Sequence, residues 1–231
     1  MKIGIIGAGQ IGGTLTRLLT KLGHEVSVAN SRGPQSLGAL AHQTGAKPVE
    51  VKDAARGQDL VIVTIPEARV PELPKDLFAG VPASVPVIDT GNYYPQHRDG
   101  RIADIEAGTT ESRWVAHQIG RPVIKAFNNI YASHLLDNGR PKGSANRIAL
   151  PVAGDDPAAK AIVMKLVDEI GFDPVDAGTL DESWRQQPGT PVYTADRDVK
   201  GVQDALANAR PQRPPEFRGT EKSPGTFTNP A

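Results

Sequence analysis

Three glycines near the start of the chain have the spacing of a nucleotide-binding turn. They stand in the segment GAGQIG, which follows the apolar run KIGII and precedes a leucine-faced helical pattern. In that context the glycines provide a tight turn, close approach of a pyrophosphate and close helix packing, and the first N–H groups of the helix bind the phosphates. The alternative is a glycine-rich turn without a ligand. We predict dinucleotide contacts at Gly7, Ala8, Gly9, Gln10, Ile11 and Gly12.

The residues after the second apolar run indicate which dinucleotide is bound. An NAD site carries Asp or Glu here to hold the ribose hydroxyls. This chain has Asn30, Ser31 and Arg32 instead, and no carboxylate between Val26 and Val49. A carboxylate would repel a 2′-phosphate, whereas a serine hydroxyl donates to it and a guanidinium binds it through two hydrogen bonds. The sequence therefore predicts that NADP(H) is bound. The alternative is that Arg32 is a solvated loop arginine without a ligand.

Candidate contacts for the nicotinamide half follow three further apolar runs, in the segments VTIPEARV, DTGNYYP and IKAFNNIYA. Ligands of open parallel sheets bind outside the carboxyl ends of the strands. Pro66 could equally just end a strand, and strand-end asparagines are common turn formers. We predict cofactor contacts at Thr64, Ile65, Pro66 and Asn92, with Tyr93, Asn128 and Asn129 as further candidates.

The sequence shows no recognisable catalytic constellation. It has no cysteine, no G-x-S-x-G turn and five scattered histidines, so disulfides, thiol chemistry and a histidine metal site are not indicated. The pair Asp155 and Asp156 could bind a metal, but it is better explained as a helix cap before Pro157, and no metal is predicted. The catalytic residue is unknown from the sequence; the two candidates are Asn128 and Lys125, and Lys125 could equally be structural.

The elements that must position these residues follow an alternating pattern. Seven short segments are apolar on both faces, as the strands of a parallel sheet covered by helices must be. These predicted strands are KIGII, EVSVA, DLVIVTI, VPVIDT, PVIKAF, RIALPVAG and FDPVDA. Amphipathic segments lie between most of them, and the first presents Leu15, Leu18, Leu19 and Leu22 on one face. The fold class predicted is α/β: a Rossmann-type, doubly wound, mostly parallel sheet with a C-terminal αβ extension and an irregular tail.

Two regions are predicted along the chain. Residues 1–185 form an NADP-binding Rossmann-like domain that includes the C-terminal αβ extension. Residues 186–231 form a proline-rich tail with one short helix within 196–209. Proline, glycine and charge without periodicity predict an extended or disordered tail, which could wrap a partner subunit.

Composition limits the partners. Lysine plus arginine equals aspartate plus glutamate at 26 each, so the chain has no overall field that favours nucleic acid or a membrane surface. No apolar run approaches the roughly 18 residues of a membrane span. We expect a cytoplasmic soluble protein whose partner is a small-molecule redox acceptor, in a homodimer or alone.

Four segments together resemble a known family. They are MKIGIIGAGQIGGTL, LGHEV followed by NSR, the IP of the segment VTIPEARV, and LPVAGDDPAAKAIVMKLVDEIGFDPVDAGTL. Over about residues 1–185 the chain resembles the NADP oxidoreductase family that includes NADPH-dependent reductases of coenzyme F-420 (8-hydroxy-5-deazaflavin). The resemblance implies direct hydride transfer between the nicotinamide and a deazaflavin or flavin ring. It also implies cofactor contacts at Gly7, Gly9, Gly12, Ser31, Arg32, Ile65 and Pro66.

The acceptor half departs from the family pattern. Archaeal deazaflavin reductases show a histidine and a threonine before IPA, where this chain has Asn128, Asn129 and IYA, and Pro188, Gly189 and Pro191 interrupt the family's C-terminal helix. Two alternatives remain open. One is a hydroxyacid or imine reductase with Lys125 as proton donor, although such enzymes append a long helical domain. The other is a module that binds NADPH without catalysis.

Overall fold

The computed structural model describes residues 1–231 and is built on a six-stranded parallel sheet. The strands are β1 (Lys2–Ile6), β2 (Glu25–Ala29), β3 (Lys47–Pro48), β4 (Leu60–Val63), β5 (Val87–Asp89) and β6 (Ile124–Lys125). They lie in the order β3-β2-β1-β4-β5-β6, so the order reverses between β1 and β4. A crevice opens at such a switch point. The prediction of a Rossmann-type fold is confirmed.

Helices cover both faces of this sheet. Alternate residues of the strands pack into two different clusters, with Ile3 and Ile5 in one and Ile6 in the other, as expected for strands buried on both sides. No helix is both long and apolar enough to cross a bilayer. The α-helices are α1 (Gln10–Lys21), α2 (Gly38–Thr44), α3 (Ala103–Glu106), α4 (Glu111–Ile119), α5 (Ala132–Asp137), α6 (Pro157–Glu169) and α7 (Val199–Ala207).

Helix α1 follows the leucine pattern with one exception. Leu15 and Leu19 are fully buried and Leu18 packs partly against the same core, but Leu22 is 42% exposed. Leu22 is the C-terminal cap, where the chain leaves the helix axis, and Gly23 follows at φ 84°. The predicted apolar face therefore ends one turn earlier than the spacing suggested.

Helix α6 confirms the interpretation of the acidic pair as a cap. The Asp156 carboxylate accepts hydrogen bonds from the backbone N–H groups of Ala158 (2.8 Å) and Ala159 (3.2 Å). Pro157 occupies the first helical position, where no N–H is needed. Asp155 points elsewhere and binds Arg113 and the N–H of Leu180.

The last two strands do not extend the main sheet. The strands β7 (Ala149–Val152) and β8 (Asp173–Asp176) pair in parallel in a separate two-stranded sheet. Only an antiparallel bridge between Lys125 and Ala153 joins the two sheets. The strand expected at PVIKAF shortens to β6, because Phe127 adopts a positive φ of 63° and turns the chain away.

The tail is irregular, as predicted, but it packs against its own chain. The Arg213 guanidinium binds the buried Glu111 carboxylate at 2.9 Å, and Phe227 stacks on His97 with ring centroids 5.3 Å apart. The side-chain amide of Gln96 donates to the carbonyls of Pro215 and Arg218. The expectation of a disordered tail is corrected by these contacts, which join distant residues and leave no periodic trace in the sequence.

Candidate functional site

The glycine turn between β1 and α1 has the geometry that its spacing predicted. Gly7 has φ 111°, and a Cβ on it would lie 2.1 Å from the Thr64 carbonyl oxygen. A Cβ on Gly12 would lie 1.9 Å from the Gly7 carbonyl oxygen, so only glycine allows the helix to approach the turn. Gly9 has nothing within 4 Å of its Cβ position. Two glycines thus serve packing, and the third leaves room for a ligand.

The start of helix α1 is suited to an anion. Gly9 is its N-cap, no side chain caps the first turn and no acidic residue lies in it. The first N–H groups of a helix lack partners within the helix and carry partial positive charge. A pyrophosphate lying over Gly9 would accept hydrogen bonds from them, so these residues fit the dinucleotide they were predicted to bind.

The loop after β2 holds Ser31 and Arg32 in place through Asn30. The Asn30 side chain accepts from the Arg32 backbone N–H at 2.9 Å and donates to the Ser36 hydroxyl at 2.9 Å. Gly33 follows at φ 84° and lets the chain turn. Arg32 forms no ion pair with any carboxylate, so its guanidinium is available to a phosphate.

A cleft of about 520 Å³ joins the glycine turn to this loop. It lies at the carboxyl ends of β1, β2 and β4, where the strand order reverses. Of the predicted contacts, Gly12 lies within the helix, Ile11 packs against the core, Gln10 faces a neighbouring groove and Asn92 lies outside the lining. The predicted residues that line the cleft are Gly7, Ala8, Gly9, Asn30, Ser31, Arg32, Thr64, Ile65 and Pro66.

Two charged residues of this cleft were missed by the sequence reasoning. Arg69 and Glu72 lie on the helical turn Glu67–Glu72 after β4, line the cleft and pair at 2.7 Å. Their spacing of three residues and their closeness to Pro66 were the available signal. Because Arg69 neutralises Glu72, the paired carboxylate does not by itself oppose a phosphorylated ligand.

Asn92 and Asn128 meet at the carboxyl ends of β5 and β6, as neighbouring strand ends must. The Asn128 amide donates to the Asn92 side chain (3.0 Å) and to the Gln186 carbonyl (2.7 Å), and its oxygen accepts from the Gln186 side chain (3.0 Å). Both amide hydrogens of Asn128 are therefore used within the protein. This arrangement favours a positioning role for Asn128 over direct action on a substrate.

Tyr93 and Asn129 lie in the interior. Tyr93 is fully buried, accepts from the N–H of Ile102 and donates to Glu106, each at 2.9 Å. Burial raises the pKa of Tyr93, so its phenol stays protonated. The carbonyl of Asn129 accepts from Thr194 at 2.8 Å. Both residues support the loops around the strand ends.

Lys125 is fully buried below the strand ends and does not line the cleft. Its ammonium lies 3.1 Å from Asp89 and donates to the Gly91 carbonyl at 2.6 Å. Burial alone would lower the pKa of Lys125, but Asp89, Glu111 and Glu67 raise it above its usual value. The position favours a structural cation that ties β6 to the loop after β5.

Glu67 is a buried acid that the sequence did not single out. It has no exposed surface, and neither carboxyl oxygen has a hydrogen-bond partner. A Cβ on Gly91 would lie 2.5 Å from one of these oxygens, so Gly91 makes room for the side chain. Burial, and then the nearby Asp89, raise the pKa of Glu67 well above its usual value, which favours the neutral acid.

Comparisons with known proteins give relatives of this chain. The family model described as "NADP oxidoreductase coenzyme F420-dependent" matches residues 2–93, which run from β1 to the loop after β5. A protein of Sinorhizobium meliloti described as hypothetical is 30% identical in its solved structure, with a TM-score of 0.73, over 85% of this chain and 95% of that chain.

The part of the chain from β1 to the loop after β5 is thus similar to the coenzyme F420-dependent NADP oxidoreductase family. The resemblance stated from the residues is confirmed over that part, and by that description the family consists of NADP-dependent oxidoreductases. A solved structure from an Arthrobacter species, provisionally named an F420-dependent NADP reductase, is 25% identical with a TM-score of 0.63, over 78% of this chain and 85% of that one.

One curated relative that matches is the protein YjhV of Escherichia coli strain K12. It is 56% identical over 77 residues, which are 33% of this chain and 56% of YjhV. The chain thus spans little more than half the length of that relative.

Proposed function

We propose that this protein is an NADP-dependent oxidoreductase of that family and transfers hydride directly between NADP(H) and a deazaflavin (coenzyme F-420) or flavin acceptor. One observation carries the proposal. A single cleft joins the uncapped start of α1 to Ser31 and Arg32, at a strand end that has no carboxylate. That arrangement matches the pyrophosphate at one end and the 2′-phosphate at the other.

Each wall of the cleft then has a role. The N–H groups after Gly9 would bind the pyrophosphate, and Ser31 and Arg32 would bind the 2′-phosphate. Thr64, Ile65 and Pro66 form the wall that leads from the adenosine end towards Asn92. The bound coenzyme supplies a hydride at its nicotinamide ring, and the protein orients that ring and excludes water from it.

The polar groups near the strand ends favour a ring acceptor over a substrate that needs a proton donor. Asn128 donates both amide hydrogens to other groups of the protein, and Lys125 is buried against Asp89. A site that supplies orientation rather than acid–base groups suits hydride transfer between two stacked rings. The same observations weigh against the hydroxyacid or imine reductase in which Lys125 donates the proton.

The test combines coenzyme binding with a panel of acceptors. We expect NADPH to bind the purified chain about a hundredfold to ten-thousandfold more tightly than NADH, because two charge-assisted hydrogen bonds contribute about 1.5–3 kcal/mol each. With NADPH present, FMN, FAD and coenzyme F-420 are added separately, and loss of nicotinamide absorbance is followed. Oxidation that depends on one of these acceptors supports the proposal.

Two results would overturn parts of it. Equal affinity for NADH and NADPH contradicts the proposed coenzyme. Tight NADPH binding without oxidation by any of the three acceptors contradicts the proposed reaction and leaves a binding module or a different acceptor class.

A further inference from the structure

A cavity outside the coenzyme cleft is rich in arginine. Its volume is about 840 Å³, and it is enclosed by α3, the start of α4, the turn Leu180–Gln186 with the residues after it, and the tail. It shares no lining residue with the cleft of the glycine turn. Five arginines and His117 line it, against the two carboxylates of Glu106 and Asp181.

The charge of this cavity is only partly compensated. Arg113 pairs with Asp155 and Asp181, and Arg213 pairs with Glu111. The other three arginines form no ion pair with a carboxylate, and Arg101, Arg210 and Arg218 are exposed on the cavity wall. Guanidinium groups gathered without counter-ions repel one another, and an anion bound between them would remove that cost.

A residue of the cavity wall also holds a buried donor without a partner. Gln187 is 6% exposed and lines the cavity, and its side-chain oxygen accepts from Arg213 at 3.1 Å. Its amide nitrogen is buried and donates to nothing. A buried donor left unpaired costs free energy, which an acceptor bound at this wall would relieve.

From this geometry we infer a second binding site that takes a phosphate or carboxylate group of a small molecule. The amide nitrogen of Gln187 and the guanidinium groups of Arg210 and Arg218 bind the anion, and Trp184 offers an apolar face on the same wall. All three groups belong to residues 186–231, so the tail completes the site. The inference does not depend on the proposed hydride transfer.

The site is close in sequence to the groups at the strand ends. Gln187 follows Gln186, whose side chain donates to Asn128, and Asn128 in turn contacts Asn92. The anionic group bound at this site therefore belongs to one of two kinds of molecule. It is carried by the side chain of the hydride acceptor or by a separate phosphorylated effector.

The experiment uses the full chain saturated with NADP⁺, so that the coenzyme's own phosphate positions are filled, and pyrophosphate as the probe. Binding is measured by calorimetry and by Trp184 fluorescence, with Trp184→Phe assigning the signal. We expect saturable binding that weakens at least about tenfold in the double variant Arg210→Gln with Arg218→Gln. The double variant Arg210→Lys with Arg218→Lys, which keeps the charge, should recover part of it.

The matched control changes two arginines elsewhere. Arg56→Gln with Arg140→Gln removes the same charge from exposed positions outside the cavity, and pyrophosphate binding should be unchanged. No saturable binding to the NADP⁺-saturated chain, or equal loss in both glutamine pairs, would overturn the inference.

FMN and riboflavin distinguish the two sources, because they share one ring system and differ by a phosphate. If the anion belongs to the acceptor, the KM for FMN should rise in Arg210→Gln with Arg218→Gln while that for riboflavin stays constant. Unchanged KM values together with weakened pyrophosphate binding assign the site to a separate effector. If neither flavin is reduced, a flavin fails as the proposed acceptor and coenzyme F-420 is left to the acceptor panel, while the pyrophosphate titration still decides the second site.

Discussion

At the scale of single residues, the glycine turn and the lining of the cleft beside it were predictable, and the surroundings of the cleft were not. The packing roles of Gly7 and Gly12 follow from backbone geometry, and the place of Ser31 and Arg32 in the cleft follows from their position after β2. Both signals are local in the sequence. Glu67 and Arg69 become visible only when the turn after β4 folds against Gly91 and the cleft, which no periodic pattern encodes.

Replacing Arg32 tests the 2′-phosphate contact. We expect Arg32→Ala to weaken NADPH binding about 10- to 100-fold and to leave NADH binding nearly unchanged, because only NADPH carries the charged group that the guanidinium binds. Titration of both coenzymes measures the effect, with the exposed Arg56→Ala as control. Equal weakening for both coenzymes would place Arg32 elsewhere than at the 2′-phosphate.

Alanine substitutions at two glycines of the turn should have different effects, one on stability and the other on NADPH binding. Gly12→Ala puts a Cβ 1.9 Å from a backbone oxygen and should destabilise the fold by about 2 kcal/mol or more. Gly9→Ala meets no atom within 4 Å, so it should leave the melting temperature nearly unchanged while weakening NADPH binding. Thermal melts and titrations of the two variants separate a packing role from a ligand role, and a stable Gly12→Ala would contradict the first.

Glu67 should make stability depend on pH in a defined direction. Its pKa is raised in the folded chain, so the native state holds this proton more tightly than the unfolded state does. Its contribution to stability is complete below the unfolded pKa of about 4.3 and is lost as pH rises through the folded pKa, by about 1.4 kcal/mol per pH unit in that window.

Glu67→Gln keeps the neutral form and should remove this loss. Denaturant unfolding from pH 5 to pH 9 should show the variant gaining stability relative to the original chain as pH rises. The exposed Glu50→Gln should show no such trend. A constant difference between Glu67→Gln and the original chain would contradict a raised pKa.

At the scale of elements, apolar runs and caps identified most strands and helices but not how they group. RIALPVAG and FDPVDA have the same pattern as the strands of the main sheet, because any strand covered on both faces looks alike in sequence. Their pairing in a separate sheet depends on the turn at Phe127 and the bridge to Lys125. The two-residue strand β3 has too few residues for any pattern to show.

The cap of α6 gives a prediction at this scale. Asp156→Ala leaves two N–H groups at the helix start without their acceptor, so it should destabilise the chain by about 1 kcal/mol and lower the melting temperature by roughly 2–4 °C. Asp76→Ala, at an exposed position whose side chain makes no hydrogen bond, is the control. A drop of equal size in both variants would point to net charge rather than to the cap.

At the scale of the whole molecule, the tail is tied to the Rossmann domain by an ion pair between residues 102 positions apart. Glu111 has no exposed surface and the side chain of Arg213 is 15% exposed, so breaking the pair leaves a buried carboxylate without its counter-charge. Composition alone suggested a free tail, because a contact of this range leaves no mark on either segment.

Removing one partner should therefore cost more than removing both. We expect Arg213→Met to destabilise the chain by about 3 kcal/mol, and the pair Glu111→Gln with Arg213→Met to cost clearly less, since no charge is then left buried. Denaturant unfolding measures both, and proteolysis within residues 214–231 should be faster in Arg213→Met. Equal costs for the single and double variants would show that the tail is held by other contacts.

The bond between Lys125 and Asp89 has a consequence for recombining this protein with its relatives. The segment matched by the family model ends at residue 93, so it contains Asp89 but not the lysine that neutralises it. A chimera joined at that point from two parents must inherit both halves of this pair. Otherwise the chimera will carry a buried charge at position 89 or 125 without its counter-charge, however well the two pieces match in shape.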